Sequence, residues 1–528
     1  MEPSDRAFRL TRRAVLPVAA LAALPTRLAL AQTTPAETAP SVEPALGKLD
    51  AVVQDAMRRT GVPGVAVAVV YRDRALYLKG FGVRWAGRPD PVDADTVFPL
   101  ASVSKPIAST VVAALVGDGL VAWSDPIIRH DPAFQMYDAW VTRQVTLSDM
   151  FAHRSGLPDH AGDALEDIGY DRGEILYRLR YQKPDSSFRA HYAYTNFGLT
   201  AAAVAAARAS GKAWEDVSAE RIYRRIGMIH TSSRFADFTA TTNRVHSHVR
   251  QGDAWVAKYT REPDAQSPAG GVTASVGDMV PWMRLQLGRG MLDGEQVVKP
   301  DGLDETHRPQ VIRTPPVKDP MTGHASFYGL GWNVDYDDHG RIHWSHSGAF
   351  DLGAATSVTL LPTEQLGITV LTNAQPIGVP EAIIRSFLDL VLTGSVQKDW
   401  VTLYGQLMTA ALAPNYGPTV DYNEIPPGAS PALPNASYVG TYDNDLSGPI
   451  GIETAPQGGL VLTLGPKPLA FPLRHFDRDV FTYQPTGENA YGRSAVAFTI
   501  GADGKAVDVT IENLDIDHQG TFTRRTSE

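Results

Sequence analysis

The segment Ser102-Val103-Ser104-Lys105 has the residue types of a serine nucleophile that carries its own base. A serine three residues before a lysine on one helix places both side chains on the same face, one turn apart. The lysine amine can then withdraw or shuttle the proton of the serine hydroxyl. In a first helical turn, unpaired N–H groups and the positive end of the helix dipole favour a developing alkoxide. The spacing therefore indicates a nucleophile that needs no histidine–aspartate pair.

Two further polar motifs follow Ser102 along the chain, Tyr194-Thr195-Asn196 and His346-Ser347-Gly348. Each motif is short enough to occur by chance, so their order and spacing carry the argument. Competing matches follow a helix stop or break the spacing, and are set aside: residues 395–398, 160–162, 442–444 and 518–520. Only the set at Ser102, Tyr194 and His346 keeps its order within one domain-sized stretch.

In this order the motifs resemble the three active-site elements of the serine beta-lactamase/DD-peptidase superfamily, Ser-x-x-Lys, Tyr-x-Asn and Lys/His-x-Gly. The likeness is to the class C beta-lactamase-like branch, with its DD-peptidase, D-amino-acid peptidase and esterase relatives. The resemblance spans residues 45–390. Four longer segments also resemble that branch: His153-Arg154-Ser155-Gly156-Leu157-Pro158, Ser267-Pro268-Ala269-Gly270-Gly271-Val272, Tyr328-Gly329-Leu330-Gly331-Trp332 and Val370-Leu371-Thr372-Asn373.

The resemblance implies that Ser102 attacks a carbonyl group and forms an acyl-enzyme. Lys105 and Tyr194 would share the proton work as a coupled pair, because the ammonium favours a phenolate whereas burial disfavours an isolated charge. We expect Tyr194 to take the serine proton and pass it to the leaving group. We expect Asn196 to position the lysine and to hydrogen-bond the acyl side chain.

The resemblance also places His346-Ser347-Gly348-Ala349 on a strand at the edge of the cleft. The backbone N–H groups of Ser102 and Ala349 are then expected to form the oxyanion hole, and Gly348 to let the substrate backbone approach closely. His346 departs from the lysine that lactamases of this branch usually carry. A histidine, largely neutral at neutral pH, is a weaker anchor for a beta-lactam carboxylate than a permanent cation. The histidine in place of a lysine therefore favours peptide or amide hydrolysis over beta-lactam resistance as the activity.

The resemblance implies a serine hydrolase that cleaves peptide or amide bonds of small peptides, including unusual or D-residue-containing ones, and we expect it to be exported. The alternative is a carboxylesterase or a weak class C-like beta-lactamase, because the acyl-enzyme route serves these substrates as well. A non-catalytic peptidoglycan-binding or scaffold protein is disfavoured, because Ser102, Lys105 and Tyr194 are all present. No cofactor is implied, since these three side chains suffice for acyl transfer, and no histidine pair has convincing metal spacing.

Hydrophobic patterning predicts an α/β (α+β) fold that positions these residues. A helix over 46–60, a hairpin over 65–78, strands within 332–371 and a last helix over 380–392 indicate an antiparallel sheet flanked by helices, with a helical subdomain between. This agrees with the beta-lactamase/DD-peptidase-like fold that the resemblance implies. Short alternating strands near the end of the chain predict a small antiparallel β-barrel, which resembles a lipocalin-like tail.

The expected domain boundaries follow from shifts in composition along the chain. They are a twin-arginine-type signal peptide at 1–31, a disordered spacer at 32–45, the hydrolase domain at 46–395, a Pro-rich linker at 396–434 and the lipocalin-like β-barrel domain at 435–528. Arg12-Arg13, an apolar run and Ala29-Leu30-Ala31 supply the parts of a cleavable export signal. We therefore expect a periplasmic or secreted protein with no stable membrane anchor.

Composition narrows the classes of partner. The chain has 528 residues, a formal net charge of −10 and no cysteine, which excludes disulfides and thiol catalysis. The acidic balance and the lack of a long basic run make nucleic acid an unsuitable partner. The expected partner is a small peptide or ester substrate, and a homo-oligomer stays open.

Overall fold

The structure, a computed structural model, describes residues 41–314, 324–413, 416–417 and 420–526. The predicted signal peptide at 1–31 and residues 32–40 of the predicted spacer lie outside the described residues. The first helix begins at Val42, earlier than predicted, because Val42 and Ala45 join Leu49 and Val53 on one buried face. Residues 42–45 are therefore helical and do not belong to a disordered spacer.

Helices of the described residues surround a central sheet and build a separate helical region after the second helix. They are α1 Val42–Thr60, α2 Ser104–Gly117, α3 Ala139–Gln144, α4 Leu147–Phe151, α5 Asp163–Asp167, α6 Arg172–Arg178, α7 Asn196–Arg208, α8 Trp214–Ser218, α9 Phe235–Ala240, α10 Ser267–Gly270, α11 Val276–Leu287, α12 Pro300–Asp304, α13 Val379–Thr393 and α14 Trp400–Ala411. Within the described ranges, no helix is long and apolar enough to cross a membrane.

The central sheet has eight antiparallel strands. They are β1 Gly64–Tyr71, β2 Arg74–Gly82, β3 Val311–Thr314, β4 Ser326–Tyr328, β5 Asn333–Tyr336, β6 Ile342–Phe350, β7 Ala354–Leu361 and β8 Leu366–Thr372, in the spatial order β2-β1-β8-β7-β6-β5-β4-β3. The predicted hairpin is confirmed, and its turn residues Arg72 and Asp73 both have positive φ, as a tight hairpin turn requires. The predicted α/β (α+β) class is confirmed.

The sheet is covered on both faces, and β1, β7 and β8 are accordingly buried along almost their whole length. Residues of α1 and α13 pack on one face, where Leu49, Val53 and Phe387 are fully buried. On the other face α2 and α11 pack with the helical region into the largest core of the protein. Because β6 lies inside the sheet and α2 lies under it, both elements that carry the predicted site are held by the core.

The C-terminal strands close into an eight-stranded barrel, in which each strand pairs with the next and the last pairs with the first. The strands are β9 Gly440–Asp443, β10 Ile450–Thr454, β11 Leu460–Leu464, β12 Leu469–Asp477, β13 Val480–Tyr483, β14 Ser494–Ile500, β15 Ala506–Ile511 and β16 Thr521–Arg524. The predicted barrel is confirmed, although sequence patterning identified only five of its strands. Sequence patterning did not predict β12, because its residues are partly exposed along the whole strand and its apolar residues alternate only weakly with polar ones.

The barrel is packed onto the helical region, and its core continues into that region. Leu165, Ile175 and Phe197 of the helical region belong to the same buried cluster as the residues inside the barrel. The carboxylate of Asp167 accepts hydrogen bonds from the backbone N–H groups of Glu488 and Asn489, each at 2.8 Å. The stretch predicted as a Pro-rich linker contains α14, which begins where the Asp399 side chain accepts a hydrogen bond from the Thr402 N–H.

Candidate active site

Ser102 lies in a single 3-10 turn, Ala101–Val103, that leads directly into α2. The sequence predicted the first turn of the α-helix itself, so the serine stands one turn earlier than expected. Ala101 has φ of 46°, in the left-handed region that alanine adopts at a cost of about 1 kcal/mol or more. Ala101 is fully buried, and tight packing holds this backbone in place. The turn thereby presents the serine at the end of the helix.

The predicted nucleophile and its two predicted proton carriers meet at one oxygen. Lys105 Nζ lies 3.0 Å from Ser102 Oγ, and the Tyr194 hydroxyl donates a hydrogen bond to the same atom at 2.8 Å. The Lys105 side chain is fully buried. The spacing of Ser102 and Lys105 follows from the local helix, whereas Tyr194 reaches them from the loop before α7.

Lys105 also donates hydrogen bonds to Asn196 Oδ1 at 2.7 Å and to the Ala269 carbonyl at 3.0 Å. A neutral amine has two hydrogens and one lone pair, so these two acceptors leave the lone pair for the Ser102 hydroxyl proton. Burial lowers the pKa of Lys105 to about 7, although the charge of Asp163 opposes this shift. Burial raises the pKa of Tyr194 well above its ordinary value. Both shifts favour a neutral amine beside a neutral phenol.

A row of hydrogen-bonded polar residues, which the motifs did not predict, leads from Asn196 to Asp163 and His160. Asn196 Nδ2 donates a hydrogen bond to Asp163 Oδ2 at 2.8 Å, and His160 Nδ1 lies 2.8 Å from the same oxygen. Burial opposes protonation, but the hydrogen bond to Asp163 and the charges of Asp163 and Asp159 raise the pKa of His160 to about 9. Because the His160 side chain is 53% exposed, solvent screening weakens this effect.

His346 faces the same site from β6, and its ring centre lies 6.3 Å from that of Tyr194. Its Nδ1 lies 2.7 Å from the Ser347 carbonyl and its Nε2 lies 2.9 Å from the Tyr328 hydroxyl. A carbonyl only accepts, so this network assigns the proton to Nδ1 and leaves Nε2 to accept from Tyr328. Burial and the charge of Lys105 lower the pKa of His346 to about 3. The position is therefore occupied by a neutral imidazole with both nitrogens engaged.

The other three residues of this strand segment have different surroundings. The Ser347 side chain donates a hydrogen bond to Ser357 Oγ at 3.2 Å, on the face of the sheet opposite to His346. A Cβ at Gly348 would collide with the Leu100 carbonyl and would lie 2.9 Å from the Ser102 N atom. Gly348 is thus required by the backbone of the nucleophile turn. Ala349 follows at an exposed position, and the oxyanion hole of Ser102 and Ala349 stays a prediction.

Comparison with known proteins agrees with this geometry. Residues 49–392 match the family model described as Beta-lactamase, which is more than half of the chain. The chain belongs to the beta-lactamase family. Residues 425–525, which include the barrel, match a second model, the domain of unknown function DUF3471. The likeness of the barrel to lipocalins stays a resemblance.

Two curated members of the beta-lactamase family show the range of similar enzymes. The unguisins hydrolase ungD' of Aspergillus campestris is 27% identical over 415 residues, which cover 74% of this chain and 74% of that protein. The D-alanyl-D-alanine-carboxypeptidase/endopeptidase AmpH of Escherichia coli is 23% identical over 326 residues, covering 60% and 81%. With such hydrolases among its relatives, the chain is a serine hydrolase of this family.

A solved structure confirms that the fold extends beyond the hydrolase domain. The octameric penicillin-binding protein homologue from Pyrococcus abyssi superimposes with a TM-score of 0.58 and 16% identity. The match covers 88% of this chain and 98% of that one. At this identity the likeness establishes the fold.

Other segments that resemble the family also converge on the site. His153 is buried with φ of 55°, and its Nδ1 accepts a hydrogen bond from the Thr195 N–H at 3.1 Å, between Tyr194 and Asn196. Its ring centre lies 4.7 Å from that of Tyr194 and 5.0 Å from that of Tyr328. His153 therefore holds in place the segment that carries Tyr194 and Asn196.

A buried network of ion pairs involves residues on both sides of His153 in the sequence. The Asp149 carboxylate is fully buried and bonds Arg154 Nε at 2.8 Å and Arg189 Nη2 at 2.7 Å. Across the described ranges, no group of three or more His, Cys, Asp or Glu side chains is arranged to hold a metal ion. The contacts of Lys105 and Tyr194 with Ser102 Oγ support acyl transfer by protein side chains.

Proposed function

We propose that this protein is an exported serine hydrolase that cleaves peptide or amide bonds of small peptides through a Ser102 acyl-enzyme. The observation that carries the proposal is the joint contact of Lys105 Nζ and the Tyr194 hydroxyl with Ser102 Oγ. Unusual or D-residue-containing peptides are the proposed substrates, because the named relatives include an unguisins hydrolase and a D-alanyl-D-alanine-carboxypeptidase.

The proposed reaction begins with the neutral pair at rest. Ser102 Oγ attacks the substrate carbonyl carbon while its proton moves to the lone pair of Lys105 Nζ. Collapse of the tetrahedral intermediate breaks the C–N bond, and the Tyr194 hydroxyl protonates the departing amine and regains a proton from Lys105. Water then hydrolyses the ester of Ser102 by the reverse transfers. In this scheme Lys105, and not Tyr194 as expected from the sequence, accepts the serine proton.

The surroundings of His346 support an open-chain amide substrate over a beta-lactam that carries a carboxylate. A buried neutral imidazole that is hydrogen-bonded to Tyr328 and to the Ser347 carbonyl offers no cation to a substrate carboxylate. A carboxylesterase uses the same nucleophile and needs no such cation, so it is the second candidate.

Intact-mass spectrometry after brief exposure to four kinds of probe tests the proposal. The panel is a fluorophosphonate, a penicillin, a p-nitrophenyl ester and D- and L-alanyl peptides, with Ser102→Ala as the matched control. An adduct on the wild-type protein alone, together with peptide turnover, supports the peptidase. Turnover confined to esters supports the carboxylesterase, and no adduct with any probe overturns the acyl-enzyme.

Export and assembly are proposals with separate tests. Export through the twin-arginine segment requires that the mature amino terminus follow residue 31 and that Arg12→Lys with Arg13→Lys abolish export. The homologue from Pyrococcus abyssi is octameric, which supports the proposal that this chain forms a homo-oligomer as well. Light scattering on the purified protein decides that question.

A further inference from the structure

A partly enclosed cavity of about 520 Å³ lies between the helical region and the barrel. Pro158 to Ile168 supply one wall and barrel residues between Leu446 and Asp517 supply the other. This volume falls within the range of small-molecule sites. We propose that the cavity binds the part of the substrate peptide that carries a protonated amine next to an apolar side chain. This inference rests on the proposed function.

The cavity is connected to the nucleophile through short contacts. Asp159, in its wall, accepts a hydrogen bond from the Tyr194 N–H at 2.7 Å. Asp163, also in its wall, bonds Asn196, which in turn bonds Lys105. The wall of the cavity is therefore one hydrogen bond away from Tyr194 and from Asn196, two residues of the site around Ser102.

The charges around the cavity select for a cation. Five aspartates line it, whereas its described lining includes no lysine or arginine, and His160 is its only ionisable base. Asp167 is already engaged by the backbone of the barrel loop. Burial, followed by the nearby charges of Asp185 and Asp159, raises the pKa of Asp517. These like charges repel one another, and a bound ammonium group would relieve that repulsion.

One carboxylate of the wall is buried and has an oxygen without a partner. Asp163 is only 5% exposed, and among the described residues its Oδ1 has no hydrogen-bond partner. A buried acceptor of this kind is costly unless a donor reaches it. The aspartates do not converge into a metal site in the described ranges. An organic ammonium group, with its several N–H donors, suits carboxylates that are spread over a wall.

The barrel supplies the apolar part of the cavity. Leu464, Phe471 and Tyr483 line it together with Leu446. These side chains suit an aliphatic or aromatic group next to the ammonium. In this proposal the barrel contributes directly to substrate selection.

Calorimetric titration with three matched probes tests the cavity without knowledge of the natural substrate. The probes are 2-phenylethylammonium, neutral 2-phenylethanol and anionic 3-phenylpropionate, added to the full mature chain. We expect the ammonium compound to bind about tenfold more tightly than the alcohol, and the carboxylate more weakly than both. Equal binding of the three compounds, or binding of none, overturns the proposal.

Charge-removing variants locate the binding. Asp185→Asn with Asp517→Asn should remove the preference for the ammonium compound, whereas Asp508→Asn, elsewhere on the barrel, should preserve it. A preference that survives in the cavity variant overturns the proposal. If that variant does not fold, Asp185→Asn alone, at an exposed position, serves the same comparison with about half of the effect expected.

The same experiments separate this inference from the proposed function. Ser102→Ala should retain ammonium binding while losing all turnover. Asp508→Asn, outside the lining of the cavity, should hydrolyse p-nitrophenyl acetate at the wild-type rate. For the peptide amide Phe-D-Ala-D-Ala-NH₂, the free amine should exceed its N-acetyl form about tenfold in kcat/KM, mainly through KM. Ammonium binding without peptide turnover would contradict the function alone, and turnover without amine preference would contradict the cavity alone.

Discussion

Lys105 Nζ lies 4.4 Å from the centre of the Tyr194 ring, and the two side chains contact the same oxygen of Ser102. A ring face attracts a cation, which favours a charged lysine. Burial acts in the opposite direction and lowers the pKa of Lys105 to about 7. The site is therefore poised so that the amine changes its protonation state close to neutral pH.

The first prediction concerns the pH dependence of acylation. Because only the neutral amine accepts the serine proton, kcat/KM for p-nitrophenyl acetate should rise with pH and level off above the Lys105 pKa of about 7. Tyr194→Phe should keep the midpoint. It should lower the rate about 10²–10⁴-fold for a peptide amide, whose leaving amine needs a proton, and much less for p-nitrophenyl acetate, whose phenolate leaves without one. Loss of the rising limb in Tyr194→Phe would instead identify the tyrosine as the base. Stopped-flow ester hydrolysis measures both.

The second prediction concerns Asp163, whose negative charge raises the pKa of Lys105 against the effect of burial. Asp163→Asn removes that charge, so the midpoint of the pH profile should move to lower pH. Asp185→Asn, a matched change at an exposed position outside this hydrogen-bonded row, should leave the midpoint in place. An unchanged midpoint in both variants would show that Asp163 only holds Asn196 in position.

Part of this site could be predicted because its geometry is local. Ser102 and Lys105 are placed by a single turn, so their spacing along the chain is also their spacing in space. The side chains of Tyr194 and His346 could be assigned only through the order of motifs, because the loops that bring them together leave no periodic signal. Sheet strands such as β7 and β8 were predictable because they consist almost entirely of apolar and β-branched residues.

The remainder depends on contacts between distant segments. His160 matched a decoy of the third motif, and nothing in its neighbours indicates that it bonds Asp163 beside Asn196. The left-handed φ of Ala101 is imposed by packing, since alanine has no preference for that conformation. The docking of the barrel depends on apolar residues such as Phe197 that are indistinguishable in sequence from ordinary core residues.

The third prediction concerns the contribution of the buried ion pairs of Asp149 to the stability of the protein. Asp149→Asn removes the fully buried negative charge that pairs with Arg154 and Arg189. It should therefore lower the free energy of unfolding by about 3 kcal/mol. Asp216→Asn, which breaks the exposed pair with Arg234, should change it by about 1 kcal/mol or less. Urea unfolding at neutral pH compares the two variants.

The contribution of Asp149 should also depend on pH. Burial opposes its ionisation, but hydrogen bonds from Arg189, Thr146 and Arg154 hold the pKa of Asp149 below its ordinary value of 3.8. A depressed carboxyl pKa stabilises the fold above the unfolded value and loses that effect as the pH falls through the folded value. The gap between wild type and Asp149→Asn should therefore shrink in acid below that range. A gap that is constant with pH would contradict the ionic origin.

The fourth prediction concerns the contact between β6 and the nucleophile turn. At Gly348 an added Cβ would meet the Leu100 carbonyl and the Ser102 N atom, so Gly348→Ala must push the strand away from the turn. If the Ser102 N–H helps to bind the oxyanion, this displacement should slow fluorophosphonate acylation about 10²–10³-fold. Gly47→Ala, where a Cβ has open space in α1, is the matched control and should acylate at the wild-type rate. Intact-mass time courses measure both rates, and rapid acylation of a folded Gly348→Ala protein would show that the strand does not set the geometry of the nucleophile.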